Sequence, residues 1–299
     1  MISTVHEPSV LIEDILACPR CRTPLVPAKL VCSSCGFEGR RFGQGSVDLL
    51  DEASLSDHDR EEIETQSHSV GAYYENESKL SFHWDRLSAY DLFDLLGLPP
   101  GLVLDLGCAT GAAGSALKEQ GHKVVGVDLT VSCLVTAEPR MDAVVRADAT
   151  HLPFRDGVFD AIVARGTLHH VDTPELVLRE CRRVLKNDGR ALFLDPRAFA
   201  WLEPIKKAIR RSDPGFSHDH RAFGRSEYLA LIGSEFELES VRSLYPATIL
   251  LAVASDLVRL PEALPRRRSA QALLSIDKRL SQTPLARLGH MLVVRARKR

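Results

Sequence analysis

The chain has 299 residues, 44% of them hydrophobic and 26% charged, with a formal net charge of −2. That length suits one large domain plus a small one, and the near balance of charge argues against a protein held to nucleic acid by bulk electrostatics. Met1 to Val10 carries acid and proline in place of a basic segment before an apolar one, and no run of eighteen apolar residues occurs. A secretory leader and a membrane span are therefore not expected, and the expected location is cytoplasmic.

Four of the seven cysteines stand in two C-x-x-C pairs, Cys18/Cys21 and Cys32/Cys35, with ten residues between the pairs. Each pair can form a tight knuckle that presents two thiolates, and Gly36 relieves the turn after the second. Two facing knuckles make a tetrahedral sulfur site with no open position, which suits a structural zinc ion. A segment this small buries too little apolar surface to fold unaided, so the metal would supply its folding energy. A redox role for the pairs lacks the strand–helix context it needs. Residues 11–50 are read as this module. Residues 51–69 are acidic and polar and read as a linker or solvated helix.

An aromatic segment with Tyr73 and Tyr74 follows, then a helix over Trp84 to Leu96 with apolar residues at helical spacing. Val103 to Leu106 reads as a buried strand that ends in a glycine-rich turn, Gly107 to Gly111, and an alanine-rich helix to Gln120. The spacing is not that of the dinucleotide fingerprint G-x-G-x-x-G. A second strand, Val124 to Asp128, ends in an acid placed to accept from a ribose diol. A third short strand precedes Arg146-Ala147-Asp148-Ala149, and Phe159 to Ala164 is a fourth. Alternating strand and helix imply a parallel sheet with right-handed crossovers. Carboxylates buried at three strand ends, Asp105, Asp128 and Asp148, are costly unless a ligand supplies donors.

Beyond the fourth strand lies Arg165-Gly-Thr-Leu-His169-His170, where a near-neutral imidazole can take a proton. A helix from Pro174 to Leu185 stops at Asp188-Gly189, and Ala191 to Asp195 is a fifth strand. Pro196 to Arg211 reads as helical, followed by the His218-Asp219-His220 loop, whose adjacent residues are poorly placed to chelate one metal. A helix over Ser226 to Ile232, a strand over Phe236 to Val241 and a last strand over Met291 to Arg295 complete the chain. Residues 244–287 then form an insertion with an apolar run from Tyr245, three arginines at 266–268 and an amphipathic stretch from Ala270 to Leu280. It reads as a helical cap or homodimer interface, or as a lid on an apolar pocket with peripheral membrane contact.

In this order, D-L-G-C-x-T-G at 105–111, the acid Asp128, A-D-A-x-x-L-P-F at 147–154, F-D-A-I-V at 159–163 and R-V-L-K-x-D-G at 183–189 resemble the class I S-adenosylmethionine-dependent methyltransferases. The L-H-H-V-x-like loop at 168–172 resembles the ubiquinone/menaquinone-biosynthesis type. A nicotinamide-binding Rossmann domain is the alternative. The resemblance implies an α/β, Rossmann-like sheet of seven strands, with the last antiparallel between the fifth and sixth. It implies S-adenosyl-L-methionine as cofactor. Asp105 would order the turn and approach its amino group, and Gly107, Cys108 and Gly111 would give backbone contacts to the methionine moiety. Asp128 would hold the ribose, Leu129 would lie beside the adenine, and Asp148 and the Ala149 N–H would read it. Tyr73 in the aromatic lid and Arg165 heading the methyl-facing loop join this group. His170 or His169 is the candidate base, and His220 a candidate on the substrate side.

Ile12 to Pro19 and Gly43 to Leu50 resemble a zinc-ribbon family that includes a small activator of methyltransferases. That resemblance implies Cys18, Cys21, Cys32 and Cys35 as zinc ligands, in a module that covers the catalytic domain, residues 70–299, or serves oligomerisation. The combined reading is an enzyme that methylates oxygen, nitrogen or carbon of a small or lipid-like metabolite. An RNA methyltransferase and a non-catalytic methyltransferase partner are the alternatives; the near-neutral charge and few aromatics disfavour RNA.

Overall fold

The computed structural model describes residues 12–26, 28–199, 222–248 and 266–299. The central strands are β3 (Leu102–Leu106), β4 (Lys123–Asp128), β5 (Ala143–Arg146) and β6 (Phe159–Arg165). They are short, apolar and pair in parallel, which requires cover on both faces. Crossover helices α5 (Ala112–Glu119), α6 (Val131–Ala137) and α7 (Pro174–Val184) provide it, the last opening on a proline that needs no N–H partner. Then come β7 (Leu185–Pro196), α8 (Arg225–Gly233), β8 (Phe236–Leu244), α9 (Arg266–Leu280) and β9 (Met291–Lys298). The core order is β5-β4-β3-β6-β7-β9-β8, with β9 antiparallel to both neighbours. This is the seven-stranded arrangement expected from the sequence.

The sheet does not stop there. The cysteine-rich segment contributes a hairpin, β1 (Arg40–Phe42) with β2 (Ser46–Asp48), and β2 lies parallel to β5, with Val47 opposite Val145 and Asp48 opposite Arg146. The sheet thus has nine strands among the described residues. Short helix α1 (Ile12–Ile15) leads into bonds on the core: Ala17 N–H donates to Pro153 O at 2.9 Å and Arg155 N–H to Ile15 O at 2.8 Å. Leu16, Leu30, Phe37 and Leu49 are buried in the same apolar cluster as Leu104, Val127 and Phe154.

On the other face of the sheet lie α3 (Leu80–Ala89) and α4 (Asp91–Leu96). They replace the single helix expected over 84–96. The step falls at Tyr90, after a turn in which the Asp85 carbonyl accepts from both Ser88 Oγ and Arg165 Nη2. The fifth core strand also begins earlier than expected, at Leu185, because its pairing with β6 jumps from Phe159 opposite Leu185 to Ala161 opposite Arg190, leaving residues 186–189 as an irregularity. The acidic stretch is helical over α2 (Asp57–Ser69), whose N-terminus Ser56 and Asp59 close as a capping box. The segments 200–221 and 249–265, with the His218–His220 loop and the apolar run, lie outside the described residues. No described helix is long and apolar enough to cross a membrane.

Arg146 ties the hairpin to the core. Its Nη1 lies 3.2 Å from Asp48 Oδ2 and 3.2 Å from Glu52 Oε1, with side-chain exposures of 10% for Arg146 and 7% for Asp48. Arg40 also reaches Asp48, at 2.9 Å, but its side chain is 69% exposed. Asp48→Ala is expected to destabilise the protein by about 3 kcal/mol, because it removes the buried carboxylate partner of a buried guanidinium and leaves it only the exposed Glu52 carboxylate. Arg40→Ala should lose under about 1 kcal/mol. Urea unfolding of the two variants checks this, and equal small losses would contradict it.

Candidate active site

A cleft of about 1120 Å³ of empty space, open solvent included, lies at the carboxyl ends of β3, β4 and β6. Chain direction there diverges, β4 to one side of β3 and β6 to the other, which opens a crevice at the switch point. The floor is the turn after β3. Gly107, Ala109 and Gly111 all have positive φ, at 67°, 45° and 84°. At Gly107 a Cβ would stand 2.5 Å from Thr167 Oγ1, so only glycine lets that segment close in. Thr167 Oγ1 donates to Leu106 O at 2.7 Å.

Asp128 bonds the backbone of this turn. Its Oδ2 accepts from Ala109 N–H at 3.0 Å and its Oδ1 from Thr130 N–H at 2.9 Å. Burial raises its pKa while those two N–H groups work the other way. Each carboxylate oxygen accepts more than one bond, so capacity for a ligand remains. The Gly107 and Cys108 N–H groups both donate to Val127 O, and Gly111 N–H donates to Cys108 O. Backbone contacts from these three residues to a ligand therefore cannot come from their N–H groups.

Asp105 is the uncompensated group. It is 1% exposed, and its Oδ2 has no hydrogen-bond partner. Burial pushes its carboxyl up to about 7, with the charge of Arg165 opposing that rise. Arg165 itself is engaged by α3, at 2.7 Å from Asp85 Oδ1 and 2.7 Å from Ser88 Oγ. Asp148 closes a turn with Thr150, accepting from its N–H at 2.8 Å and its Oγ1 at 2.6 Å. Asp148, Ala149 and Leu129 all line the cleft.

The roof comes from the stretch read as a linker. Glu62, Ile63 and Gln66 of α2 line the cleft, as does Tyr74, from the π-helical turn Val70–Tyr74. Tyr74 OH donates to Gln66 Oε1 at 2.9 Å, and burial raises its pKa. The side chain of Tyr73 is outside the described set, as is His220. His58, Glu62 and Gln66 recur every fourth residue, one face of a helix, which was the available signal for these groups.

The two histidines separate. His170 lines the cleft, its Nδ1 lying 3.1 Å from Glu62 Oε2. His169 points elsewhere: its Nδ1 is 2.8 Å from Asp195 Oδ1, and Tyr228 OH donates to Asp195 Oδ2 at 2.7 Å. Burial lowers the His169 pKa, against the pull of Asp195. The buried His169–Asp195–Tyr228 chain anchors the loop, and the structure brings His170 alone of the two to the cleft wall.

The four cysteine sulfurs of the N-terminal module lie within 4.8 Å of one another, with Cys18 to Cys35 at 3.5 Å and Cys21 to Cys32 at 3.4 Å. A tetrahedral zinc with bonds of about 2.3 Å places its sulfurs about 3.8 Å apart, so the donor set and its size fit.

Similarity to known proteins points to one chemistry. The family model for a methyltransferase domain matches residues 104–193. A malonyl-[acyl-carrier protein] O-methyltransferase of Geobacter sulfurreducens is 34% identical over 148 residues, covering 46% of this chain and 55% of that protein. A demethylmenaquinone methyltransferase of Mycobacterium tuberculosis is 31% identical over 205 residues, covering 66% of this chain and 82% of that protein. Among solved structures, a SAM-dependent methyltransferase from Thermotoga maritima superposes with a TM-score of 0.54 at 21% identity, over 79% of this chain and 99% of that one, which shows a shared fold. The chain belongs to the S-adenosylmethionine-dependent methyltransferases.

Proposed function

We propose that the enzyme methylates a small, lipid-like acceptor, with His170 as its base and one structural zinc ion in the N-terminal module. The observation that carries the cofactor assignment is Asp105, a buried carboxylate with a bare oxygen at the end of β3. A cationic amino group is the partner such an oxygen lacks. Asp128 and Asp148 then take the ribose and adenine, with Leu129 and Ala149 flanking the base. The acceptor class follows the relatives, one named for demethylmenaquinone and one for malonyl-acyl carrier protein.

S-adenosylmethionine, when bound, supplies a methyl group on a sulfonium sulfur. The residues of the chain position and deprotonate. His170, in the cleft wall, would take the proton of an attacking hydroxyl. The α2 roof and Tyr74 cover one side of the cleft, and alignment of the two reactants supplies much of the rate. Zinc would be held by Cys18, Cys21, Cys32 and Cys35, a closed site with structural purpose.

Methyl transfer from labelled cofactor into a cell extract should place label in the organic-soluble pool; label in RNA would overturn the acceptor class. Metal analysis should find about one zinc per chain, and Cys32→Ser should lose it and lower the melting temperature, since β2 belongs to the main sheet. Asp105→Asn should weaken cofactor binding about 10- to 100-fold in calorimetry. The same variant should be more stable than the parent at pH 8. The folded carboxyl is raised to about 7 against 3.8 unfolded, so the folded state binds the extra proton between these values and loses stability as pH rises through them. The difference should vanish below pH 4, and a variant destabilised at pH 8 would contradict this account of Asp105.

A further inference from the structure

We propose that a second cavity, lined by Arg197, Arg225, Arg242 and Arg287, binds a phosphate monoester, the anionic end of the acceptor; placing it on the acceptor rests on the lipid-like reading above. About 1660 Å³ of empty space, open solvent included, is lined there from α4, α9, the end of β8 and the short turn Pro284–Leu288. Four arginines and Lys278 stand in the lining against two carboxylates, Asp91 and Asp94. Asp91 is already taken: Lys278 Nζ lies 2.7 Å from its Oδ1, and Tyr245 OH donates to its Oδ2 at 3.1 Å. Asp94 is exposed. Among the described residues none of the four arginines pairs with a carboxylate. Arg197 donates through Nη1 to Arg287 O at 2.7 Å and lies over the Phe199 ring at 4.7 Å. Burial and then the charge of Arg225 lower its pKa. Like charges gathered without counter-charge repel, and a bound anion relieves that cost. A phosphate monoester carries a charge of about −1.5 to −2 near pH 7 on three acceptor oxygens, which guanidinium forks match in pairs.

The cavity lies at the same edge of the sheet as the cofactor cleft. Arg165 of the cleft lining is opposite Leu194, Leu194 is opposite Val293, and Val293 is opposite Arg242. One row across the sheet thus joins a cleft arginine to a cavity arginine through three strand spacings, about 14 Å. Tyr245 links the two places on the helix side. It lines the cavity, its ring packs edge-on against Trp84 of α3 at 5.0 Å, and α3 holds Arg165 through Asp85 and Ser88. The lining also has apolar members, Leu95, Val241 and Leu244, and Leu285 and Leu288 beside Arg287 are about half exposed. Such a mixture suits an elongated molecule with a phosphate at one end, an apolar body and the methyl-accepting atom at the other. It disfavours a nucleic-acid backbone, whose diesters carry one charge each and no apolar body.

Binding to the full chain tests the site without any acceptor. Octyl phosphate should bind saturably with a Kd of about 1 mM or tighter, read from arginine side-chain NMR signals. The double variant Arg225→Gln/Arg242→Gln, at two exposed positions, should weaken it about 10-fold or more. Arg267→Gln/Arg268→Gln removes the same charge at another exposed pair and should leave the affinity unchanged. Absence of saturable binding, or equal weakening in both double variants, overturns the proposal, as does a short single-stranded RNA that binds more tightly than octyl phosphate through Arg225 and Arg242. Vesicle flotation separates two sources of the same group. Binding to phosphatidic acid in phosphatidylcholine that is lost in Arg225→Gln/Arg242→Gln makes the phosphate a lipid headgroup, and binding of octyl phosphate alone makes it a free ester. In methyl transfer to cell extract, label in the organic-soluble pool should be retained on an anion exchanger and released by phosphatase. Arg225→Gln/Arg242→Gln should raise the extract concentration for half-maximal rate more than it lowers the maximal rate. Neutral label in the organic pool overturns the placement on the acceptor and leaves the acceptor class standing. Label in RNA overturns both together.

Discussion

Three parts of the chain meet at one guanidinium. Arg146 ends β5, and its Nε donates to Leu129 O at 3.0 Å while its Nη1 reaches Asp48 and Glu52. Its backbone stands opposite Asp128 on one side and Asp48 on the other, and Leu49 N–H donates to its carbonyl at 2.9 Å. The core sheet, without the hairpin, would end at β5 with a row of unpaired backbone groups. The cysteine-rich module removes that edge, and Arg146 locks the join while holding the carbonyl of the cleft-lining Leu129. The cysteine-rich module thus joins the core beside the cleft, at Arg146, two residues from the cleft-lining Asp148.

The cleft is also where the protein tolerates instability. Asp128 and Asp148 are half-buried carboxylates, and each accepts bonds from groups of its own neighbourhood. Asp105 has a bare oxygen in a site without water contact, and its carboxyl rises to about 7 as a result. The turn next to it holds Ala109 at positive φ, an uncommon state for a residue with a side chain. Strain and an uncompensated acid sit side by side, on the strand end where a ligand would relieve the second.

Much of this was legible in the sequence because it is local. The apolar runs of β3, β4 and β6, the glycine turn and the acids at strand ends are each written within a few residues, and the four cysteines state their own geometry. What escaped was set by distant partners. The hairpin strands β1 and β2 have three residues each, too short for a periodic signal, and their place is decided by pairing with β5 some hundred residues on. Asp105 and Asp128 look alike in sequence, and only the fold shows which one holds the turn. His169 and His170 are neighbours whose roles divide because Asp195 and Tyr228 capture one of them. The acidic stretch 51–69 suggested solvent, since charge density hides a stripe whose partners lie across the cleft.

The roof and the N-terminal module converge on one short turn, residues 138–140. Glu138 Oε1 accepts from Gln44 N–H at 2.8 Å and Ser46 Oγ at 2.5 Å, both in the hairpin. Two residues on, Arg140 donates to Thr110 O in the glycine turn at 2.5 Å and pairs with Glu75 at 2.8 Å, just after Tyr74. Burial works against the charge of Glu75, yet Arg140 and Arg86 hold its carboxyl down to about 2, so the join stays ionised wherever the protein is folded near neutral pH. The same hairpin therefore bears on the cleft in two places, beside Leu129 through Arg146 and beside the glycine turn through Glu138 and Arg140. Fusing such a module to the catalytic domain makes these contacts intramolecular, at an effective concentration that a separate chain reaches only by binding, and the cofactor site is built on a wall that cannot diffuse away.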